Sequence, residues 1–131
     1  MRTYFDTSAL IKLVVAEPET SSLRLYLREI GGDTPFTAAL TRTELIRAVR
    51  RVDVHALAAA RRVLAGLATV NLTPAILDEA ATLDPPLLRS LDAIHLAAAQ
   101  RAGADLRAVV TYDARMSEAA TLLGIPIAAP V

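Results

Sequence analysis

The sequence predicts an α/β domain with a mostly parallel sheet. Short apolar runs of strand length alternate with longer stretches of helical periodicity across its 131 residues, the pattern expected of strand–helix–strand units. Helical segments outnumber strands, so several crossovers should contain two helices. No internal repeat, low-complexity tract or linker divides the chain, and its length suits one domain spanning residues 1–131.

The elements follow in order. Arg2–Phe5 reads as a strand. Ser8–Val15 is an apolar helix, with Asp6, Thr7 or Ser8 available as its cap. Pro18 breaks the pattern, and Glu19–Ile30 carries Leu23, Leu27 and Ile30 at helical spacing. Gly31-Gly32-Asp33 forms a turn before a brief extended segment, Pro35–Ala38. Helices are predicted over Ala39–Arg51 and Val54–Leu67, then a strand over Thr69–Leu72 that ends at Thr73-Pro74. Ala75–Leu83 is helical, Asp84-Pro85-Pro86 is a loop, and Ser90–Ala102 is a helix closed by Gly103. A strand at Ala108–Thr111, a helix at Ala114–Leu123 and a strand at Ile125–Ala128 complete the chain.

Composition narrows the function classes. An apolar fraction of 53% supports a packed core and argues against disorder. The formal net charge is zero, so no bulk charge announces a nucleic-acid partner, although a local basic patch remains open. The lack of cysteine excludes disulfides, thiolate zinc sites and thiol catalysis together. It agrees with a reducing, cytoplasmic setting. No secretory signal is visible, and the run Ala9–Ala16 is too short to span a bilayer and contains Lys12. The abundance of arginine and alanine reads as compositional bias.

Four acids stand beside small or hydroxyl residues and next to apolar runs: Asp6 in YFDTSAL, Glu44 in TRTELIRAVRR, Asp92 in SLDAIHLAAA and Asp113 in AVVTYDAR. Asp6 and Asp113 follow predicted strands, and sites in such sheets form outside the strands' carboxyl ends. Acids brought together there repel strongly unless a cation neutralises them. In a chain without cysteine this points to an oxygen-ligand site for Mg²⁺ or Mn²⁺.

Each acid also has a purely structural reading. Asp6 can cap the helix beginning at Ser8, or serve as a ligand held by Thr7 and Ser8. Thr41-x-x-Glu44 has the form of a capping box, and Arg47 or Arg51 can pair with Glu44 on the helix surface. Glu44 otherwise lies at the border of an apolar face, where it can enter a cleft. Asp92 sits on a helix that is apolar nearly all round, where an acid needs a partner. With Ser90 as the cap, it lies in the first turn, and His95 one turn on can pair with it. Asp113 can cap the final helix, with Thr111 and Arg115 near in sequence.

His95 and His55 occupy separate segments, and His95 suits packing or a supporting role. There is no glycine-rich phosphate loop, nucleophile elbow or zinc-ligand spacing. Arginines gather at Arg42, Arg47, Arg50, Arg51, Arg61 and Arg62, as a solvated helical face or, for some, as phosphate contacts near Glu44.

Together these segments resemble the PIN-domain ribonucleases, specifically the VapC toxins of toxin–antitoxin pairs. YFDTSALIKLVV resembles the family's first strand, acid and helix, and TRTELIRAVRR its internal-glutamate helix. LRSLDAIHLAAA is similar to its most recognisable segment, and VVTYDARMSEAATLLGIPIAAP to its closing strand, acid, helix and strand. The resemblance spans essentially the whole chain. It implies a three-layer αβα sandwich and a Mg²⁺- or Mn²⁺-dependent endoribonuclease. It places Asp6 and Asp92 at the principal metal-ligand positions and Glu44 and Asp113 at the other two active-site acids. It also implies a homodimer, an RNA substrate and a small VapB-type antitoxin. Hydrolysis by water would leave a 5′-phosphate and need no 2′-hydroxyl, with Glu44 or Asp113 orienting or deprotonating the water. Three other readings compete. A phospho-accepting signalling domain needs an adjacent acidic pair and a late lysine, whereas Thr7 follows Asp6 and Lys12 is the only lysine. The others are a binding module on the same fold and a PIN-fold DNA nuclease.

Overall fold

The computed structural model describes residues 1–131. Its elements are β1 (Arg2–Phe5), α1 (Thr7–Ile11), α2 (Thr20–Glu29), β2 (Thr34–Ala38), α3 (Leu40–Val52), α4 (Leu57–Ala65), β3 (Ala68–Val70), α5 (Pro74–Ala81), α6 (Ser90–Gln100), β4 (Leu106–Val110), α7 (Ala114–Leu122) and β5 (Ile127–Ala128). All five strands pair in parallel, in the order β3-β2-β1-β4-β5. The first three crossovers each carry two α-helices, as the excess of helices required.

Strand alternation distributes the core over both faces of the sheet. Tyr4 and Val109 point to one side, joining Phe36, Leu96, Met116 and Ile125. Phe5 and Val110, the next residues along, point to the other and meet Leu10, Leu23, Leu45, Val49 and Leu64. Helices α1–α4 therefore cover one face and α6–α7 the other, with α5 packed on α6. The result is the three-layer sandwich expected. Each fully buried side chain of this size stabilises the fold by about 1.5–3 kcal/mol. No helix is long and apolar enough to cross a membrane.

Several boundaries differ from the sequence expectation for local reasons. The first helix ends at Ile11 rather than Val15. Beyond it, Lys12, Leu13 and Val14 bond back to Ala9, Leu10 and Ile11 in tighter turns. Lys12 is drawn there by Glu17 at 2.7 Å and Glu19 at 3.0 Å, and its ammonium lies 4.6 Å from the centre of the Tyr112 ring. The expected helix Val54–Leu67 opens as a short 3₁₀ turn, because Asp53 caps the backbone N–H of His55. The third strand is Ala68–Val70 rather than Thr69–Leu72. Helix α7 ends before Gly124, whose φ of +72° is a conformation that favours glycine.

Candidate active site

The chain leaves β1 for β2 on one side and later returns to β4 on the other side of β1. The carboxyl ends of β1 and β4 thus flank the point where strand order reverses, the usual place for a site in an open parallel sheet. Asp6 follows β1 directly and Asp113 follows β4 within three residues.

Asp6 is buried, with 3% of its surface exposed. Its Oδ1 accepts from Ser8 Oγ at 2.7 Å and from the backbone N–H of Ala9 at 3.1 Å, and its Oδ2 accepts from Thr111 Oγ1 at 2.5 Å. Ser8 takes the role its position suggests; Thr111 holds the Asp6 carboxylate and not that of Asp113, while its Oγ1 also accepts from the Asp113 backbone N–H at 3.1 Å. Asp6 is also the cap of α1 through Oδ1, the structural role its position suggests. Burial pushes its carboxyl above the usual aspartate range, while the hydrogen bonds from Thr111, Ser8 and Ala9 pull it back.

Asp92 lies in the first turn of α6, half-buried. Its carboxylate makes no side-chain hydrogen bond or ion pair with the protein. Burial raises its pKa most and the charge of Asp113 raises it further; His95 pulls it back, with smaller effects upward from Asp6 and downward from Arg89. Asp113 and Asp6 thus lie near enough for their charges to act on Asp92, as do His95 and Arg89. The helix begins after Arg89 with no side-chain cap, so Ser90 does not take the capping role expected of it.

Asp113 caps α7, its Oδ1 accepting from the N–H groups of Arg115 at 2.9 Å and Met116 at 3.1 Å. No protein donor reaches its Oδ2.

Glu44 is not part of a capping box. Helix α3 starts at Leu40 without a side-chain cap, and Thr41 is buried inside it, bonded to Thr37. Neither Arg47 nor Arg51 pairs with Glu44. Its Oε1 instead accepts from Thr7 Oγ1 at 2.8 Å and meets His95 Nε2 at 2.7 Å, leaving Oε2 without a protein partner.

His95 therefore serves Glu44 and not Asp92, contrary to the pairing expected from their spacing. Its other nitrogen, Nδ1, lies 2.6 Å from the Tyr4 hydroxyl. Burial pushes that hydroxyl well above the usual tyrosine range, so Tyr4 keeps its proton. Nδ1 is the acceptor placed for that proton, which leaves the Nε2–H to donate to Glu44. Sequence reasoning missed this Tyr4–His95–Glu44 chain. Its only signal was a histidine on an otherwise apolar buried helix, a side chain that needs partners.

An open cleft of about 420 Å³ adjoins Asp92, lined also by Arg89, Arg115, Leu87, Leu88 and Leu122. No three acidic or histidine side chains form a preassembled ligand set. The uncommitted ligand atoms of the acids are all carboxylate oxygens, those of Asp92, Asp113 Oδ2 and Glu44 Oε2. Mg²⁺ keeps several waters and needs only one or two carboxylates plus substrate phosphate, so Asp6 and Asp92 suit a hard divalent cation. Lys12, engaged with Glu17 and Glu19, is not poised for a phospho-acceptor site.

An αβα sandwich with acids gathered at the carboxyl edge of its parallel sheet defines a class of small domains with an acidic working edge. Residues 3–122 match the PIN domain model, and the chain belongs to the PIN-domain family. It is 44% identical over 94 residues to ribonuclease VapC47 of Mycobacterium tuberculosis (strain CDC 1551 / Oshkosh), a match covering 70% of this chain and 69% of that protein. It is 46% identical over 91 residues to ribonuclease VapC46 of Mycobacterium tuberculosis (strain ATCC 25618 / H37Rv), covering 70% and 68%. The resemblance to VapC ribonucleases is thereby borne out.

The fold is likewise similar to the crystal structure of Mycobacterium tuberculosis VapC20, described as a sarcin–ricin loop cleaving toxin. That likeness has a TM-score of 0.72 at 18% identity and covers 89% of this chain and 94% of that one. A toxin–antitoxin complex from Klebsiella pneumoniae gives a TM-score of 0.70 at 22% identity, covering 98% of each chain.

Proposed function

We propose that this chain is a divalent-cation-dependent endoribonuclease, the toxin of a toxin–antitoxin pair, restrained by a VapB-type antitoxin. The observation that carries the reading is the unneutralised charge at the sheet edge. Asp92, in the first turn of α6, has no bonded partner, and Asp113 Oδ2 and Glu44 Oε2 also lack one, in a family whose similar members are named ribonucleases.

Asp6 and Asp92 would hold Mg²⁺ or Mn²⁺, with Asp113 adding to the negative field. When bound, the cation supplies charge neutralisation and Lewis acidity at the scissile phosphate. The chain's own residues do the rest. Ser8, Ala9 and Thr111 fix the Asp6 carboxylate in one orientation. Thr7 and His95 hold Glu44 by Oε1, so that Oε2 can accept a hydrogen bond from the attacking water and orient it. Arg89 and Arg115, beside Asp92 in the cleft, offer donors to the phosphate oxygens. Attack by water on phosphorus expels the 3′-oxygen of the preceding nucleotide and leaves a 5′-phosphate, without a 2′-hydroxyl taking part. Exposed Leu77, Leu87 and Leu91, on α5, α6 and the loop between them, supply apolar surface for the expected homodimer.

The test is cleavage of total cellular RNA by purified protein. Mg²⁺ or Mn²⁺ should support cutting, EDTA should abolish it, and the new ends should carry 5′-phosphates. Undiminished cutting in EDTA by protein free of contaminating nuclease would overturn the reading.

A further inference from the structure

RNA is a polyanion, and the acidic edge described above repels it. Beyond Arg89 and Arg115 in the cleft, affinity needs further basic surface. The chain is neutral overall, yet between residues 42 and 62 it carries six arginines against two acids, Glu44 and Asp53. Neither acid is engaged with an arginine. Glu44 is held by Thr7 and His95, and Asp53 caps a backbone N–H.

Three of the arginines, Arg47, Arg50 and Arg51, line one surface cleft of about 330 Å³ with Val54. All three are exposed, and none makes an ion pair or a hydrogen bond to the protein. An unpaired cluster of this kind keeps its full hydrogen-bonding capacity for a ligand. Exposed Val52 and Val54 add apolar surface at its edge.

The cluster has a fixed relation to the site. Glu44, Arg47 and Arg51 lie three and seven residues apart on α3, so they share one stripe of that helix. At 1.5 Å per residue Arg51 stands roughly 10 Å beyond Glu44 along the axis, about three stacked nucleotides at 3.4 Å each.

We infer that Arg47, Arg50 and Arg51 form a phosphate track that grips single-stranded RNA about one to three nucleotides from the scissile bond and feeds it to Glu44. This rests on the ribonuclease reading above and names the surface through which it acts. The contacts are to backbone phosphates, so the track sets affinity and strand direction without selecting sequence.

The experiment compares the wild type with Arg47→Gln/Arg51→Gln and with Arg28→Gln, a control on α2. Glutamine keeps the helix propensity and much of the stem while removing the charge. The probe is a fluorescent oligouridylate, its binding measured in EDTA across a salt series and its cleavage in Mg²⁺. The double variant should bind at least tenfold more weakly at low salt. Its log K against log salt slope should be shallower by about 1.4, or ~0.7 per lost phosphate contact on a single strand. KM should rise while kcat holds.

A double variant with the slope and KM of Arg28→Gln, beside a wild type that cuts the probe, would overturn the track and leave the ribonuclease reading intact. A wild type that neither binds nor cuts RNA would overturn both. If the double variant cuts normally but loses its antitoxin, the arginines face a protein partner, and the track is again overturned.

Discussion

Tyr4→Phe is the most incisive test of how Glu44 is held. The substitution removes one oxygen and keeps the ring, so the edge-on contacts of Tyr4 with Phe36 at 5.2 Å and His95 at 5.9 Å survive. It deletes the 2.6 Å bond to His95 Nδ1. A buried ring nitrogen left without its donor costs about 1–3 kcal/mol, a Tm loss of roughly 3–15 °C for a domain of this size. The larger consequence is chemical. Without the tyrosine proton on Nδ1, nothing reserves the hydrogen for Nε2, and a fraction of molecules turn a lone pair toward Glu44 instead. A tautomer bias of about 1.4 kcal/mol is a tenfold population ratio; without it the competent tautomer falls to about half, so kcat should fall about twofold. His95→Leu, which cannot donate at all, should fall about 10–100-fold, the range seen when the partner of a site ligand is removed. His95→Gln, with an N–H of similar reach, should recover part of the loss.

The assay is single-turnover cleavage of an RNA oligonucleotide in saturating Mg²⁺, run well below each variant's Tm. The decisive arm repeats Tyr4→Phe and His95→Leu in a Glu44→Gln background. Residues that act through Glu44 should lose their effect once its carboxylate is gone. If both cost the same factor there as in the wild type, or if folded Tyr4→Phe cuts at the wild-type rate, the positioning argument fails.

Other perturbations read the charges directly. Asp92→Asn should lose most cation-dependent cleavage yet raise the Tm in EDTA. Because the pKa of Asp92 is raised by burial and its acidic neighbours, the ionised form destabilises the metal-free fold as pH rises through that value. The gain from Asp92→Asn should therefore be larger at pH 8 than at pH 4, and thermal melts over that range check the sign. Asp33 behaves oppositely. Hydrogen bonding by Arg107 holds its carboxyl well below the usual range, so its contribution is present above the ordinary aspartate pKa and is lost as pH falls toward the folded value. Asp33→Asn should lower the Tm at pH 7 and flatten the acid limb below about pH 4. Producing the chain alone should arrest growth, and co-production of its antitoxin should restore it, as colony counts would show; a harmless active nuclease would count against the toxin role.

The sheet and its crossovers were legible because they rest on periodicity, which is local. The four acids were legible because each sits at a predicted strand end or on a helix whose apolar face is plain in the sequence. What pairs with each acid was not. Thr41-x-x-Glu44 matches a capping box, but α3 begins one residue before Thr41, which is pulled into the core by Thr37. Glu44 finds its partners at Thr7 and His95, separated by 37 and 51 residues. The spacing of Asp92 and His95 suggested a pair, but the ring turns to Tyr4, 91 residues away. These choices are made by tertiary packing, on which a window along the chain carries no information.

Capping and catalysis are not competing explanations for Asp6 and Asp113. A cap needs one carboxylate oxygen as an acceptor of backbone N–H bonds, and in both residues Oδ1 fills that role. Asp113 Oδ2 has no protein donor, and Asp6 Oδ2 takes only the Thr111 hydroxyl. A helix start is an economical mount for a site acid, because the N–H groups that need an acceptor also fix the plane of the carboxylate. The dipole of a full-length helix such as α7 further favours its charge. Asparagine can supply the same acceptor oxygen but not the charge. On the proposed function, asparagine at position 6 or 113 should thus leave the helices in place and silence the site, separating the observed capping role from the proposed catalytic one.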